Sequence, residues 1–365
     1  MDAEVLRAAV RLASRAPSLH NSQPWQWVAH GRELELHLDR NRILPSTDAG
    51  GRQALIGCGA ALDHLRVAMA AADLRCHIDR FPDRDHRTLL ATVRFTHEDG
   101  IFAEHRGHAD AILARRTDRL PFAAIPRWDD VEPQLRAVVR RTDESASVRL
   151  DVVDDRLRPE LVAASVLTEA LRRYDSAYHA ELDWWTASFG PAEGVPHSAL
   201  TSAEESDRVD VNRAFPVAGR GVRRSAIGTD HATVLVLSTP ADGNEDALRC
   251  GEVLSAVLLS CTAAGLATCP VTHVTEFGPA RAVVAELLSR PGHPQVLIRV
   301  GRAPELGETP PPTPRRALTD VLRFADTASA LGGELGDRGV TGQGAAGEEV
   351  RAAATHDHHQ HRTQQ

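Results

Sequence analysis

Three guanidinium groups stand close together in the segment RRTDR at residues 115–119. Guanidinium groups bind phosphate oxygens through paired hydrogen bonds, and the Thr117 hydroxyl adds another donor. The segment therefore predicts a phosphate site. A structural role remains open, because cations at the end of a helix over residues 109–116 would complement its dipole without any ligand.

A second candidate is the loop APSLHNSQPW at residues 16–25, where two prolines flank polar side chains. Proline restricts the backbone, so the loop is stiff and can present hydrogen-bonding groups to a planar, heteroatom-rich ligand at small entropic cost. Ser18 and Asn21 could equally be turn residues that satisfy their own backbone. A third cluster, TPRR at residues 313–316, either closes on the same phosphate or is solvated surface.

The composition excludes several kinds of chemistry. The 365 residues include no lysine, so all 42 basic side chains apart from histidine are arginine. Schiff-base chemistry, a Walker-type P-loop and a Ser-x-x-Lys nucleophile are therefore excluded, since each requires lysine. A formal net charge of −8 argues against nucleic acid or an anionic membrane as the main partner.

The same inventory bears on compartment and metal binding. Five cysteines without a Cys-x-x-Cys pair predict reduced thiols, and neither a disulfide framework nor a zinc site. No apolar stretch approaches the roughly 18 residues that span a bilayer, and the N-terminus lacks the pattern of a signal peptide. We expect a soluble, cytoplasmic protein without a metal site.

The last part of the chain, residues 325–365, is too poor in apolar side chains to offset its ordering entropy and is predicted to be disordered. Its GxGxxG sequence at residues 342–347 matches a dinucleotide-binding motif, but no strand pattern precedes it. Its four histidines at residues 356–361 would bind a transition metal only adventitiously. We assign no function to either motif.

Hydrophobic periodicity predicts an α+β fold with an antiparallel-rich sheet and flanking helices around a long central pair. Residues 186–228, rich in Gly, Pro, Ser and charge, are interpreted as a loop or mobile cover. Helical patterns cover residues 4–14, 53–75, 109–116, 129–141, 159–185, 246–264 and 279–289. Strand patterns cover residues 25–30, 33–40, 91–97, 148–153, 232–239 and 295–301, and GLATCPV at residues 265–271 is interpreted as a loop.

An internal echo links the two longest small-residue helices. Cys58-Gly59 in the first is matched by Cys250-Gly251 in the second, 192 positions later, and later apolar positions keep the same offset. The pattern predicts two related halves, residues 1–105 and 106–324, packed about a pseudo-two-fold axis as in a homodimer. Chance similarity of two small-residue helices is the alternative.

The motifs resemble those of the nitroreductase superfamily. APSLHNSQPW is similar to its flavin-contacting P-S-x-x-N-x-Q-P-W loop, and ILARRTDRLPF at residues 112–122 resembles its phosphate-binding arginine segment. AAGLATCPV resembles its loop beside the flavin. The closing strand and C-terminal arginine of the superfamily are similar to VLIRVGRAP followed by TPRRALTDVL. Here the P-S-x-x-N loop precedes the arginine segment, as in the actinobacterial Acg-like branch, where two degenerate halves imitate the usual dimer. The resemblance covers about residues 3–323.

The resemblance implies a nitroreductase-like fold with one FMN between the halves. It implies that Arg115 and Arg116, together with Arg315 or Arg316, hold the ribityl phosphate, with Thr117 nearby. Arg115, Arg116 and Thr117 belong to the arginine segment, and Arg315 and Arg316 follow the closing strand.

For the flavin ring, the resemblance places Arg119 at the N1 and C2 carbonyl edge, where reduction adds negative charge. The superfamily often has an acidic residue where this chain has Thr272, and a small one where it has His273. Further residues expected at the ring or ribityl chain are Pro17, Ser18, Leu19 and Asn21, with Pro270, Thr272 and His273 near N5.

Three functions follow from this interpretation. The first is an FMN oxidoreductase that passes electrons from NAD(P)H to a nitroaromatic or quinone-like small-molecule acceptor. The second is a flavin-sequestering protein whose segment 186–228 blocks access to the ring. The third is a scaffold without flavin. A monomer is plausible, because the halves would satisfy each other's interface.

Overall fold

The computed structural model describes residues 2–98, 100–187, 194–215, 221–306 and 311–325, without the side chains of residues 101–105. The predicted disorder of the tail and its two motifs lie outside the described residues, apart from Ala325. Within the described residues, no helix is both long and apolar enough to cross a membrane.

Helices and strands are interspersed along the described chain. The strands are β1 (Trp25–His30), β2 (Glu33–Leu38), β3 (Leu74–Arg80), β4 (Leu89–His97), β5 (Arg149–Val152), β6 (Thr233–Thr239), β7 (Ala267–Val271), β8 (His293–Gly301) and β9 (Leu322–Phe324). The helices are α1 (Ala3–Ala13), α2 (Arg52–Ala70), α3 (Ile101–Ala114), α4 (Trp128–Thr142), α5 (Arg158–Arg172), α6 (Ser176–Thr186), α7 (Ala203–Ser206), α8 (Asn244–Ala263), α9 (His273–Glu276), α10 (Gly278–Glu286) and α11 (Leu318–Val321).

Two mainly antiparallel sheets flank the central helices. The first sheet has the strand order β3-β4-β2-β1-β9, and only the pairing of β1 with β9 is parallel. The second has the order β5-β6-β8-β7 and is antiparallel throughout. The largest hydrophobic cluster joins buried side chains of α2, α8 and both sheets into one core. The predicted antiparallel-rich α+β class is therefore confirmed.

Three predicted boundaries were wrong. The helix predicted over residues 53–75 ends at Ala70, and a turn with Asp73 at a φ of 56° leads into β3. The helix predicted over residues 159–185 is two helices, because the Asp175 side chain accepts a hydrogen bond from the Tyr178 N–H and starts a new one. The GLATCPV loop contains strand β7, which tolerates Pro270 because it lies at the edge of its sheet.

The predicted central pair is α2 and α8, which touch backbone to backbone. A Cβ atom on Gly59 would lie 1.9 Å from the Leu248 carbonyl oxygen, and one on Gly251 would lie 2.0 Å from the Ile56 carbonyl oxygen. Neither position has room for any side chain. The two contacts are reciprocal, since Leu248 and Gly251 each lie 192 positions after Ile56 and Gly59.

A buried polar contact repeats this reciprocity. The Ser255 hydroxyl donates to Asp63 Oδ2 at 2.5 Å, and these two residues are also 192 positions apart. The ring of His64 lies beside them, with its Nδ1 2.8 Å from the Ser255 hydroxyl oxygen. Polar groups buried in this way are stable only with partners, so the network fixes the register of α2 against α8.

Substituting Gly59→Ala tests the helix contact. The new methyl group would overlap the Leu248 carbonyl, so we expect the free energy of unfolding to fall by about 2 kcal/mol or more in chemical denaturation. Gly107→Ala on α3 is the control, because open space surrounds that position. It should change stability by no more than about 1 kcal/mol and in the favourable direction. Equal stability of G59A and wild type would contradict the close packing.

Candidate functional site

The loop at residues 16–25 has an unusual backbone. His20, Asn21 and Gln23 all have positive φ angles, between 48° and 61°. Such angles cost free energy for residues with side chains and persist only where surrounding contacts impose them. Here the Ser18 hydroxyl accepts a hydrogen bond from the Gln23 N–H at 2.9 Å, and the Gln23 side-chain oxygen accepts the Arg316 N–H at 3.0 Å. Strain of this kind clusters at functional sites.

The arginine segment begins where α3 ends at Ala114. Thr117 forms a parallel bridge with Thr268, and the Asp118 N–H donates to the Thr268 carbonyl at 2.9 Å. These contacts attach the segment beside β7 of the second sheet. The side chain of Asp118 is paired with Arg224 at 2.5 Å, so its charge is already compensated.

The guanidinium groups of Arg15, Arg115 and Arg315 lie close together near the C-terminus of α1. Arg115 Nη2 and Arg315 Nη2 both donate to the Arg15 carbonyl at 3.1 Å, and Arg315 Nε donates to the Ser14 carbonyl at 2.8 Å. Arg15 itself donates to the Thr313 carbonyl at 3.3 Å. Within the described part of the chain, no carboxylate pairs with any of the three guanidinium groups.

The electrostatics of this cluster favour an anion. Burial, together with repulsion from neighbouring arginines, lowers the pKa of Arg115 to about 10 and that of Arg315 to about 9. The Nε and Nη1 atoms of Arg115 and the Nε atom of Arg15 are buried without a hydrogen-bond partner. A phosphate group has the charge and the acceptor oxygens to satisfy these donors. The residues present therefore fit the phosphate predicted from the sequence.

A cavity opens onto this cluster, and we call it the arginine cavity. The chain segments that form it come from both ends of the sequence. Its walls include Arg15, Pro17, Ser18, Asn21, Leu113, Arg115, Arg116, Thr117, Arg119, Val195, Pro196, Leu306, Pro311, Pro312 and Arg315.

A second, neighbouring cavity extends toward β7 and α9, and we call it the inner cavity. It shares Pro17, Ser18, Thr117 and Arg119 with the arginine cavity, so these four residues mark the junction. Its walls also include Leu19, His20, Gln53, Ile56, Gly57, Asn212, Arg213, Phe215, Cys269, Pro270, Thr272 and His273.

The two cavities bring together all but one of the side chains predicted from the sequence. The exception is Arg316, which lines neither cavity. Its Nη1 donates to the Gln23 carbonyl at 3.0 Å and lies 3.4 Å from Asp39 Oδ2. Arg315 therefore belongs to the guanidinium cluster with Arg15 and Arg115, whereas Arg316 holds the strained loop in place.

The inner cavity contains buried nitrogen atoms without hydrogen-bond partners. They are His20 Nε2, Gln53 Nε2, Asn212 Nδ2 and His273 Nδ1. Burial, and then the charge of Arg213, lowers the pKa of both histidines far below the usual range, so both rings are neutral at pH 7. A planar ring rich in nitrogen and oxygen would supply partners for these atoms, which agrees with the sequence prediction.

Sequence reasoning missed several of these side chains. Gln53 lies in the first turn of α2, where the residue pattern indicated only a buried helix. His20 stands at a variable position of the loop motif, and Asn212, Arg213 and Phe215 belong to the segment interpreted as cover. Only the contacts of the folded chain bring them to one cavity.

The described parts of the predicted cover lie against both cavities. Asn21 Nδ2 donates to the Gly194 carbonyl at 3.3 Å, and Arg119 Nη1 donates to the Ala199 carbonyl at 3.2 Å. The Phe215 ring meets the His20 ring edge to face at 5.9 Å. The described part of the segment includes the short helix α7, which the composition of the segment did not indicate.

Histidine, cysteine and carboxylate side chains are the possible metal ligands of the described residues. No group of three or more His, Cys, Asp or Glu residues in the described ranges is arranged to hold a metal ion. All five cysteines are free thiols. The chemistry of the site therefore depends on the two cavities.

The sequence of the chain is similar to those of known proteins. The sequence profile of the nitroreductase family matches residues 158–302. The chain is 55% identical over 319 residues to the Mycobacterium tuberculosis protein named "Putative NAD(P)H nitroreductase acg", which covers 87% of this chain and 95% of that protein. It is 37% identical over 338 residues to "Putative NAD(P)H nitroreductase Rv3131" of the same organism, and this alignment covers 89% of this chain and 93% of that protein.

The fold is also similar to that of a solved structure. A crystal structure from Anabaena variabilis, described as that of a "putative nitroreductase", matches with a TM-score of 0.50 at 10% identity, covering 82% of this chain and 88% of that one. At this identity the similarity concerns the fold alone. The M. tuberculosis relatives show that the chain belongs to the nitroreductase superfamily, as the motifs at residues 16–25 and 112–122 predicted.

Proposed function

We propose that this chain is an FMN-dependent oxidoreductase that passes electrons from NAD(P)H to a nitroaromatic or quinone-like acceptor. The observation that carries the proposal is the pair of joined cavities: one has guanidinium groups without a carboxylate partner, and the other is lined by residues with unpartnered buried nitrogen atoms. An anionic ribityl phosphate and a planar isoalloxazine ring would match them in that order. The names of the M. tuberculosis relatives support NAD(P)H as electron donor.

In this proposal Arg115 and Arg315 hold the phosphate from the buried side, with Arg15 beside them. Arg116 lies at the exposed rim of the same cavity, and the Thr117 hydroxyl stands at the junction. Each charged hydrogen bond to phosphate contributes about 1.5–3 kcal/mol, so the cluster anchors the cofactor firmly. Arg316 acts indirectly, through the loop that it holds.

At the ring end, Arg119 occupies the junction and would face the edge of the flavin that becomes negative on reduction. Bound FMN would supply the two-electron, hydride-accepting ring. Pro17, Ser18 and Leu19 would pack along it from the loop. The Thr272 hydroxyl donates to Glu276 Oε1 at 2.5 Å and is therefore unavailable as a donor to N5, which leaves the backbone of this segment for that role.

We further propose that residues 1–105 and 106–324 are two degenerate halves that imitate a nitroreductase dimer. The reciprocal contacts between α2 and α8, each with the same 192-residue offset, support this. The strained loop then comes from the first half and the arginine segment from the second. Strand β9 near the end of the second half pairs with β1 of the first, as an exchanged arm would. One chain would thus contain one complete site and need no partner.

One observation favours a second candidate function, flavin storage. The cover contacts the strained loop and Arg119, and Phe215 lies in the inner cavity against His20. These contacts would restrict access of a nicotinamide ring to the flavin. A protein of this kind would hold FMN with little or no turnover.

The two functions differ in their response to NADPH. We expect the purified protein to bind FMN and the oxidised flavin absorbance to bleach when NADPH is added without oxygen. An oxidised flavin band that persists with NADPH and bleaches with dithionite would favour storage. Failure to retain FMN added to the protein would contradict both functions.

Arginine variants separate the two ends of the site. Arg115→Ala should weaken FMN binding by about 1.5–3 kcal/mol without affecting riboflavin, which lacks the phosphate. Arg119→Ala should weaken both ligands, because it acts at the ring, and the double variant should lose several kcal/mol for FMN. Dissociation constants from flavin fluorescence quenching would measure this. Arg127→Ala, an exposed site outside both cavities, is the control. Unchanged FMN affinity in R115A would show that the phosphate binds elsewhere.

A further inference from the structure

Arg213 brings a second buried guanidinium group into the inner cavity. It belongs to the stretch of residues 194–215, which we call the cover segment, and its side chain is only 7% exposed. Arg213 Nη1 donates to the Tyr178 hydroxyl at 2.9 Å, and Nη2 lies 3.4 Å from the Thr272 hydroxyl. The same guanidinium forms an ion pair with Glu276.

This ion pair has a definite orientation. Arg213 lines the inner cavity, whereas Glu276 does not and is 3% exposed behind it. The positive end of the pair therefore faces the cavity. Charges act more strongly in a poorly solvated site than in water, so the pair contributes a positive potential there.

Arg119 and Arg213 are the charged side chains among the described residues that line this cavity. No carboxylate lines it within the same residues, and the two histidines are neutral. Arg119 comes from the arginine segment, whereas Arg213 comes from the cover segment. The positive electrostatic potential in the inner cavity thus depends on the presence of the cover segment.

We propose that Arg213 stabilises the reduced flavin ring, so that the cover segment raises the redox potential of the cofactor. The inference rests on the proposed function. Hydride transfer from NAD(P)H moves two electrons and one proton to the ring and leaves NAD(P)⁺. The reduced ring then carries one negative charge, which the guanidinium attracts, whereas the oxidised ring carries none.

Thermodynamic linkage gives this contact a second consequence. If the cover segment favours the reduced ring, then the reduced ring must favour the closed cover by the same free energy. Hydrogen exchange at amides of residues 194–215 should therefore be slower in the reduced FMN-loaded protein than in the oxidised one. In Arg213→Gln this difference should disappear.

The direct test is the midpoint potential of the FMN-loaded protein, measured with a reference dye. In R213Q we expect the ratio of reduced to oxidised FMN affinity to fall at least tenfold, which lowers the potential by about 30 mV. R213K keeps the charge and should stay near wild type. Arg208→Gln is the matched control, because Arg208 lies on the cover segment, lines neither cavity and contacts backbone carbonyls.

A double variant excludes an indirect effect of the carboxylate. R213Q alone leaves Glu276 buried without its partner, and that charge would itself lower the potential. R213Q/E276Q removes both charges and should still lower the potential, though less than R213Q. A wild-type potential in the double variant, or equal shifts in R213Q and R213K, would overturn the proposal. Loss of FMN from the wild-type protein would instead refute the proposed function.

Discussion

The close contact of α2 with α8 is the constraint on which the site depends. Glycine at positions 59 and 251 lets the two backbones touch, and no other residue would fit at either position. At the N-terminal part of α2, Gly57 packs tightly, though less closely, against the loop, since a Cβ there would lie 3.2 Å from Ser18 Cβ. Helix α2, helix α8 and the loop are therefore held at fixed distances. The two cavities lie where these parts meet.

The second constraint is electrostatic. Arg15, Arg115 and Arg315 share backbone carbonyls, and burial weakens the charged form of each. Like charges held together out of water cost free energy, which tertiary packing must offset. A bound anion would recover that cost. The guanidinium cluster thus favours a negatively charged ligand at this end of the site.

The cover adds a contrast with the rest of the site. The loop and the arginine segment are fixed by backbone contacts to α1, β7 and the C-terminal arm. The cover has such backbone contacts as well, and in addition two ion pairs, Arg213 with Glu276 and Arg224 with Asp118. Such pairs respond to a nearby change of charge, whereas apolar packing does not. Through these ion pairs a change in the charge of a bound flavin would affect the cover.

The sequence by itself determined the α+β class, the superfamily and the main chemical groups. Motifs at residues 16–25 and 112–122 are local, and their residue types carry the same donors in any context. The sequence misplaced the C-terminal end of α2 and did not show the break at Asp175, because apolar periodicity does not show where a turn interrupts it. It also failed to choose between Arg315 and Arg316.

Those choices were left to tertiary structure. Adjacent arginines have the same chemistry, and only the folded chain shows that one meets the Arg15 carbonyl while the other meets Gln23. Gln53 lies far along the chain from the adjacent residues Asn212 and Arg213, and no common motif connects them. They form one cavity because packing of distant segments, and not local sequence, sets their distances.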